Sequence, residues 1–266
     1  MIAAEFLDSR LGRIFCLQAR QAQGLARGRA VVLPPFGEEL NKSRHVLSAL
    51  VRHLDAHSFD VVLPDLYGTG DSEGDFADAD LNTWRADIDA AVASLPTGPR
   101  LHLIALRAGA LLAVDAAARH PVDSLTLIHP VADGRQLLNQ LLRLRLAGGL
   151  LGGGQQETAA ELRQRLSAGE TLEIAGYAIS AALAGGIESL NLGTPDCATA
   201  RRVNWIELVA EQGRALMPTS QRVVEAWQAA GVEVTTDTLV CDSFWATQEI
   251  AYCQDLVDRV CNMPGL

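Results

Sequence analysis

The chain has 266 residues, enough to bury a substantial core as one domain with an insertion. It is 48% hydrophobic and 20% charged with a mean hydropathy of +0.12, which excludes a disordered or fibrous polymer. A formal net charge of −10 disfavours nucleic acid or an anionic membrane surface as a partner. The opening residues reach an acid at Glu5 with no basic region ahead of an apolar run, so no signal peptide is expected. No stretch approaches transmembrane length without a charge; the nearest, Leu146 to Gly154, is short and rich in glycine. The five cysteines (Cys16, Cys197, Cys241, Cys253 and Cys261) show neither C-x-x-C nor Cys/His ligand spacing. They read as reduced thiols of a cytoplasmic protein with no metal and no cofactor.

In chain order, Phe6-Leu7 and Arg13 to Leu17 flank the turn-rich Asp8-Ser9-Arg10-Leu11-Gly12, a β-hairpin pattern. Ala30 to Leu33 is a short apolar run typical of a strand buried on both faces, and Pro34-Pro35-Phe36-Gly37 stops it. Val46, Leu47, Leu50, Val51 and Leu54 then fall at helical spacing between Leu40 and His57, and Val61-Val62-Leu63 returns as a strand. The alternation continues with a helix from Leu81 to Leu95, a strand from Leu101 to Ala105, a helix from Ala108 to Arg119 and a strand from Leu125 to Ile128. Such alternation implies a parallel, doubly wound sheet whose ligands sit beyond the carboxyl ends of the strands.

Between Val131 and Arg202 the strand signals vanish, and Leu137 to Leu146 and Thr171 to Leu183 read as helical or glycine-rich. This predicts an inserted helical cap over residues 131–202 on a core of residues 1–130 and 203–266, with a mobile loop at Gly148-Gly149 and Gly152 to Gly154. The sheet resumes at Val203 to Val209, followed by a helix from Thr219 to Ala230, a strand near Val232 to Cys241 and a last helix from Thr247 to Cys261.

Two loops carry the fold assignment. Ala105-Leu106-Arg107-Ala108-Gly109 occupies the frame of the strand-turn-helix elbow G-x-S-x-G, with arginine in the serine's place. Pro64-Asp65-Leu66-Tyr67-Gly68-Thr69-Gly70-Asp71-Ser72 is similar to the D-x-x-G-x-G-x-S loop of the α/β-hydrolases and reads as structural, its glycines permitting a tight path. The expected architecture is therefore an α/β-hydrolase fold, a mostly parallel doubly wound sheet with the inserted cap. More narrowly, four segments together resemble the type 2 exosortase A system-associated hydrolases. They are Pro35 to Arg44, Leu106 to Ala110, Leu172 to Tyr177, and Ser243 to Ile250. The resemblance implies a setting in Gram-negative exopolysaccharide or envelope biosynthesis, with a protein partner in that system, and it establishes no reaction.

A serine-hydrolase triad runs nucleophile, acid, histidine along the chain. All six histidines (His45, His53, His57, His102, His120 and His129) precede the cap, so no general base follows it, and Glu211 alone stands near the usual acid position. The catalytic residue is left open: Arg107 holds the elbow, and Ser43 and Ser72, read as loop serines, and His129 are weak candidates, as is Cys241. The candidate ligand-binding set is Arg107, Glu38, Glu39, Asn41, Lys42, Trp245 and Glu249. Arg107 at a helix N-terminus suits a small anionic or acyl ligand, and Glu38 or Glu39 could instead close it into an internal ion pair. A protein that hydrolyses through a displaced nucleophile, or one that only docks a partner, remains as an alternative.

Overall fold

The computed structural model describes residues 2–22, 25–98, 100–151, 157–194, 200–249 and 251–266. Strand β1 (Ile2–Asp8) folds back on β2 (Arg13–Ala19) as the expected antiparallel hairpin, pairing Ile2 with Ala19 and Asp8 with Arg13. Then β3 (Gly28–Leu33), α1 (Glu38–Ala56) and β4 (Phe59–Pro64) form the first crossover unit. A single 3-10 turn at Phe76–Asp78 leads into α2 (Leu81–Ser94), whose N-terminus is capped by Asp80 accepting the Thr83 amide at 2.6 Å. β5 (Leu101–Leu106), α3 (Gly109–Ala117) and β6 (Ser124–Ile128) follow.

The segment after β6 holds α4 (Gly134–Leu151), α5 (Ala159–Ser167), a small hairpin of β7 (Leu172–Ile174) with β8 (Tyr177–Ile179), and α6 (Ala181–Glu188). Thr158 and Glu161 form a reciprocal capping box that starts α5. The chain then completes β9 (Arg202–Val209), α7 (Pro218–Ala229), β10 (Glu233–Val240) and α8 (Gln254–Cys261).

The main sheet has the order β1-β2-β4-β3-β5-β6-β9-β10, and every pairing from β4 through β10 is parallel. Period-two alternation sends successive residues to opposite faces. Val31, Leu33, Leu103, Leu127 and Trp205 join the core beneath α2, α3 and α7, which continues into α4, α5 and α6. Val32, Ile104, Leu106, Ile128 and Ile206 join a second core beneath α1 and α8.

Four expectations need correction. Thr171 to Leu183 is helical only from Ala181, where α6 begins: Leu172 and Ile174 are buried on either side of exposed Glu173, the pattern of a strand, and Ala175 and Gly176 turn at φ 49° and 84°. Two positive φ values in a two-residue loop match the right-handed twist of a hairpin. The last helix starts at Gln254, because Thr247 Oγ1 donates to the Phe244 and Glu249 carbonyls and holds a local turn there. Gly148 and Gly149 lie within α4, while Gly152 to Gly154 fall outside the described residues. Cys241 and Cys253 are joined as a disulfide across a 12-residue separation, with Cα atoms 6.4 Å apart, and are not reduced thiols; spacing along the chain carries no sign of that approach. Cys16 and Cys261 are free and buried, and Cys197 lies outside the described residues.

The hairpin turn yields one stability prediction. Ala175 is exposed at a left-handed φ that costs an L-residue with Cβ, and Asn-Gly is the favoured pair for such a turn. Ala175→Asn is expected to stabilise the protein by about 0.5–1 kcal/mol, read as a higher midpoint in chemical denaturation.

Candidate active-site elbow and cavity

The strand-turn-helix at β5 and α3 has the geometry of an elbow. Arg107 adopts φ 54°, its amide donates to the Ile128 carbonyl at 3.0 Å, and its own carbonyl accepts from Val131 at 3.2 Å. A left-handed non-glycine residue at this point stores strain, which the flanking strands hold in place. Two residues on, a Cβ at Gly109 would stand 2.4 Å from the Leu33 carbonyl oxygen, so only glycine lets α3 approach β3 this closely.

The Arg107 side chain, 12% exposed, is spent on the protein itself. Its Nη2 and Nε donate to Glu39 Oε1 at 3.0 and 3.3 Å, its Nη1 reaches the His129 carbonyl at 3.4 Å, and its guanidinium stacks 5.0 Å above the Trp245 ring. Glu39 is delivered by the first turn of α1, directly after the Pro34 to Gly37 loop.

His129 also has a left-handed backbone, at φ 41°. Its amide donates to the Ile206 carbonyl at 2.6 Å, its Nδ1 accepts from the Leu208 amide at 3.1 Å, and its ring lies 4.8 Å from that of Trp245. Burial, with the nearby Arg107 charge second, pushes its pKa down to about 4, so the ring is neutral and carries its proton on Nε2.

Above the elbow lies a cavity of roughly 90 Å³. Phe36, Gly37, Glu38 and Glu39 form one wall and Ala108, at the start of α3, part of the floor. Leu137, Leu141 and Leu144 of α4 and Ile174, Tyr177 and Ile179 of the small hairpin close it from above. Tyr177 joins the two layers: its hydroxyl accepts from Asn41 Nδ2 at 2.7 Å, and its ring meets that of Phe76 at 5.5 Å.

Of the expected ligand-binding set, Glu38 and Glu39 line this cavity. Asn41 reaches it through Tyr177, Lys42 pairs with Glu38 at 3.5 Å, Trp245 packs beneath Arg107, and Glu249 is exposed at the surface. Arg107 stands behind Glu39 and is not among the described residues lining the cavity.

Ser43 is not in a loop. It lies inside α1, fully buried, and its Oγ has no hydrogen-bond partner among the described residues. Ser43→Ala is therefore expected to leave stability unchanged or raise it by up to about 1 kcal/mol, as thermal unfolding would show. Ser72 is a clamp: its hydroxyl donates to the Asp65 carbonyl at 2.6 Å and accepts from the Phe15 amide at 2.8 Å. Asp65, 2% exposed, accepts from Arg44 at 2.7 Å and from the Asp71 amide at 2.9 Å, in keeping with the structural reading of that loop.

Glu211 is exposed, whereas the carboxylate buried on β9 is Glu207, 1% exposed, which accepts from the Met217 amide at 2.8 Å. Reading the sequence misses Glu207 and the apolar ceiling of the cavity. The spacing of Leu137, Leu141 and Leu144, four and three residues apart on one helical face, is the signal that could have marked that ceiling.

No protein-family model matches the chain, and comparison with curated proteins finds no match. Solved structures do match over nearly the whole length. Est1E from Butyrivibrio proteoclasticus, in a structure with ferulic acid bound, is 16% identical with a TM-score of 0.65, covering 96% of each chain. The alpha/beta hydrolase domain-containing protein 10 from mouse is 15% identical with a TM-score of 0.62, covering 98% of this chain and 97% of its own. The thioesterase domain from the curacin biosynthetic pathway is 15% identical with a TM-score of 0.59, covering 98% of this chain and all of its own. At these identities the likeness speaks to architecture, and with the strand order and the elbow it shows that this chain has the α/β-hydrolase fold.

Proposed function

We propose that this chain is a type 2 exosortase A system-associated member of the α/β-hydrolases that holds a short acyl ligand beneath its 131–202 cap and has no serine triad. The observation that carries the reading is the apolar cavity above an elbow whose nucleophile position is an arginine already paired with Glu39. A guanidinium cannot attack a carbonyl, and no histidine follows His129 to act as a general base. The ferulic acid bound to Est1E and the thioesterase domain among the structural neighbours support an acyl group as the chemistry the pocket accommodates.

The leucine-rich ceiling favours an aliphatic tail, and a volume far below the ~300–1,000 Å³ of drug-sized pockets limits it to a short one. Glu39 is neutralised by Arg107 and Glu38 by Lys42, so an anionic head can approach the positive end of α3 at Ala108 without meeting a free carboxylate. The exopolysaccharide setting and the protein partner rest on the four resembling segments; the cytoplasmic location loses the support of reduced thiols, since Cys241 and Cys253 are joined. In the structure, no helix is long and apolar enough to cross a membrane, among the described residues.

The test is thermal unfolding with short-chain carboxylates and acyl thioesters, alongside a fluorophosphonate probe for activated serines. A binder at a hundred times its dissociation constant adds about 2.7 kcal/mol and raises the melting temperature. Leu141→Trp, which fills the cavity, is expected to abolish the rise. The probe is expected to label neither the native protein nor Arg107→Ser, since the neighbouring His129 is held neutral by burial with its Nδ1 already accepting from the Leu208 amide. Labelling of the native protein would replace this reading with that of a hydrolase using a displaced nucleophile.

A further inference from the structure

We propose a second, separate site: a structural zinc site formed by His53 of α1, its C-cap residue His57 and Cys261 of α8, at the far end of α1 from Glu39 and the elbow. Their candidate ligand atoms all lie within 4.8 Å of one another. A tetrahedral zinc ion with bonds of ~2.0–2.3 Å holds neighbouring ligand atoms ~3.3–3.8 Å apart, so closure needs shifts of about 1 Å. His53 and the C-cap residue His57 are four apart and share one face at the C-terminal end of α1, while Asp258 and Cys261 are three apart and share one face of α8. The site is thus a junction of two helix faces that are distant in sequence, which is why ligand spacing along the chain does not reveal it.

Three features prepare these side chains for a metal. His57 Nδ1 donates to the His53 carbonyl at 2.8 Å, which fixes the ring and leaves the Nε2 lone pair for coordination, the arrangement that usually supports a ligating imidazole. The His53 and His57 rings are stacked with centroids 4.7 Å apart, and each offers a nitrogen within 4.8 Å of the other and of Cys261 Sγ. Asp258 Oδ1 lies 3.3 Å from His53 Nε2, where it can turn to complete a fourth position. Two neutral imidazoles, one thiolate and one carboxylate together balance a divalent ion, and nitrogen with sulfur selects zinc over calcium or magnesium.

Burial and Asp258 push the Cys261 thiol up to about 12, so the proton stays on sulfur until a metal displaces it into solvent. The nearby cation Arg27 is engaged elsewhere, with Nη2 donating to the Leu266 carbonyl at 3.0 Å and its guanidinium 5.6 Å from the Phe59 ring centroid.

The role is a staple. His57 lies eighteen positions beyond Glu39 along α1, about 27 Å at 1.5 Å per residue, so an ion here takes no part in chemistry at the elbow. It would pin α8 and the last residues of the chain onto α1, across the core that these two helices share.

Cobalt(II) and zinc(II) titrations of the full-length, chelator-treated, oxidised protein decide the matter. One equivalent of cobalt is expected to give a thiolate-to-cobalt charge-transfer band and intense tetrahedral visible bands. Cys261→Ser should lose the charge-transfer band. Competition with a chromophoric chelator should show one zinc per chain, weakened at least about a hundredfold in His57→Asn and about tenfold in Asp258→Asn. His57 is partly exposed at a helix end, so this variant keeps the test open even if Cys261→Ser folds poorly. Absence of the band in the native protein, its survival in Cys261→Ser, or zinc affinity unchanged in His57→Asn would overturn the site and leave an ordinary His53–Asp258 contact.

Discussion

Arg107→Ala is expected to destabilise the protein by about 2–3 kcal/mol and Glu39→Ala by about 1–2 kcal/mol, with a coupling between them of about 1–2 kcal/mol. The pair is not deeply buried, with side chains 12% and 29% exposed, so the 3–5 kcal/mol typical of breaking a fully buried pair must be discounted for solvent. Removing Arg107 costs more because its stem and guanidinium also cover Trp245 and meet the His129 carbonyl. Removing Glu39 leaves a cation that keeps those two contacts. Replacing both by apolar residues of similar volume, Arg107→Met with Glu39→Leu, should recover most of the loss. The cycle is read from urea denaturation midpoints. A coupling below about 0.3 kcal/mol would mean that the guanidinium is not committed to Glu39 and stands ready for an outside anion.

That experiment addresses the point at which reading the sequence stops. Leu101 to Gly109 is recognisable as an elbow from an apolar run, a small residue and a glycine, because a strand buried on both faces and a close helix approach each leave a composition signal. The partner chosen by Arg107 leaves no such signal. Glu38 and Glu39 are neighbours with the same chemistry, and only the direction of the first turn of α1 decides that Glu39 meets Arg107 while Glu38 pairs with Lys42 on the helix surface.

The same distinction explains the segment between β6 and β9. Its apolar helices are legible from periodicity, as at Leu137 and Leu141, yet the β7–β8 hairpin is hidden because three-residue strands are too short to display alternation. Its turn is also made by Ala-Gly rather than the Asn-Gly pair that announces a hairpin. Since Tyr177 and Ile174 of this hairpin help close the cavity, missing it means missing one of the pocket's walls. Ser43 fails in the opposite way: beside a Pro-Gly loop it looks like a loop serine, but α1 begins at Glu38, and two polar turns precede the apolar run that marks the helix.

The largest pH effect should come from two buried histidines, and its direction follows from their surroundings. His102 is 1% exposed, with Nδ1 2.8 Å from Ser124 Oγ and its ring against Phe59, and burial pushes its pKa down to about 4. His129 is pushed to about 4 as well. Both lie below the ordinary histidine value near 6.5, so as the pH falls the unfolded chain takes up protons first. The stability they contribute is complete above pH ~6.5 and is lost progressively down to pH ~4, by up to about 3 kcal/mol for each ring. Asp87 opposes this in part, because burial raises its carboxyl and acidification relieves that cost. His129→Asn isolates one contribution: asparagine tolerates the left-handed backbone and can accept the Leu208 amide, but it does not titrate. Urea denaturation from pH 7 to pH 4.5 should show a markedly shallower decline in this variant than in the native protein. A general base must hold its pKa near the working pH, and a neutral ring whose Nδ1 already accepts from a backbone amide is held far from that condition. An imidazole resonance of His129 titrating near pH 6.5 would reverse the argument, returning the ring to the list of groups able to take a proton beside Arg107.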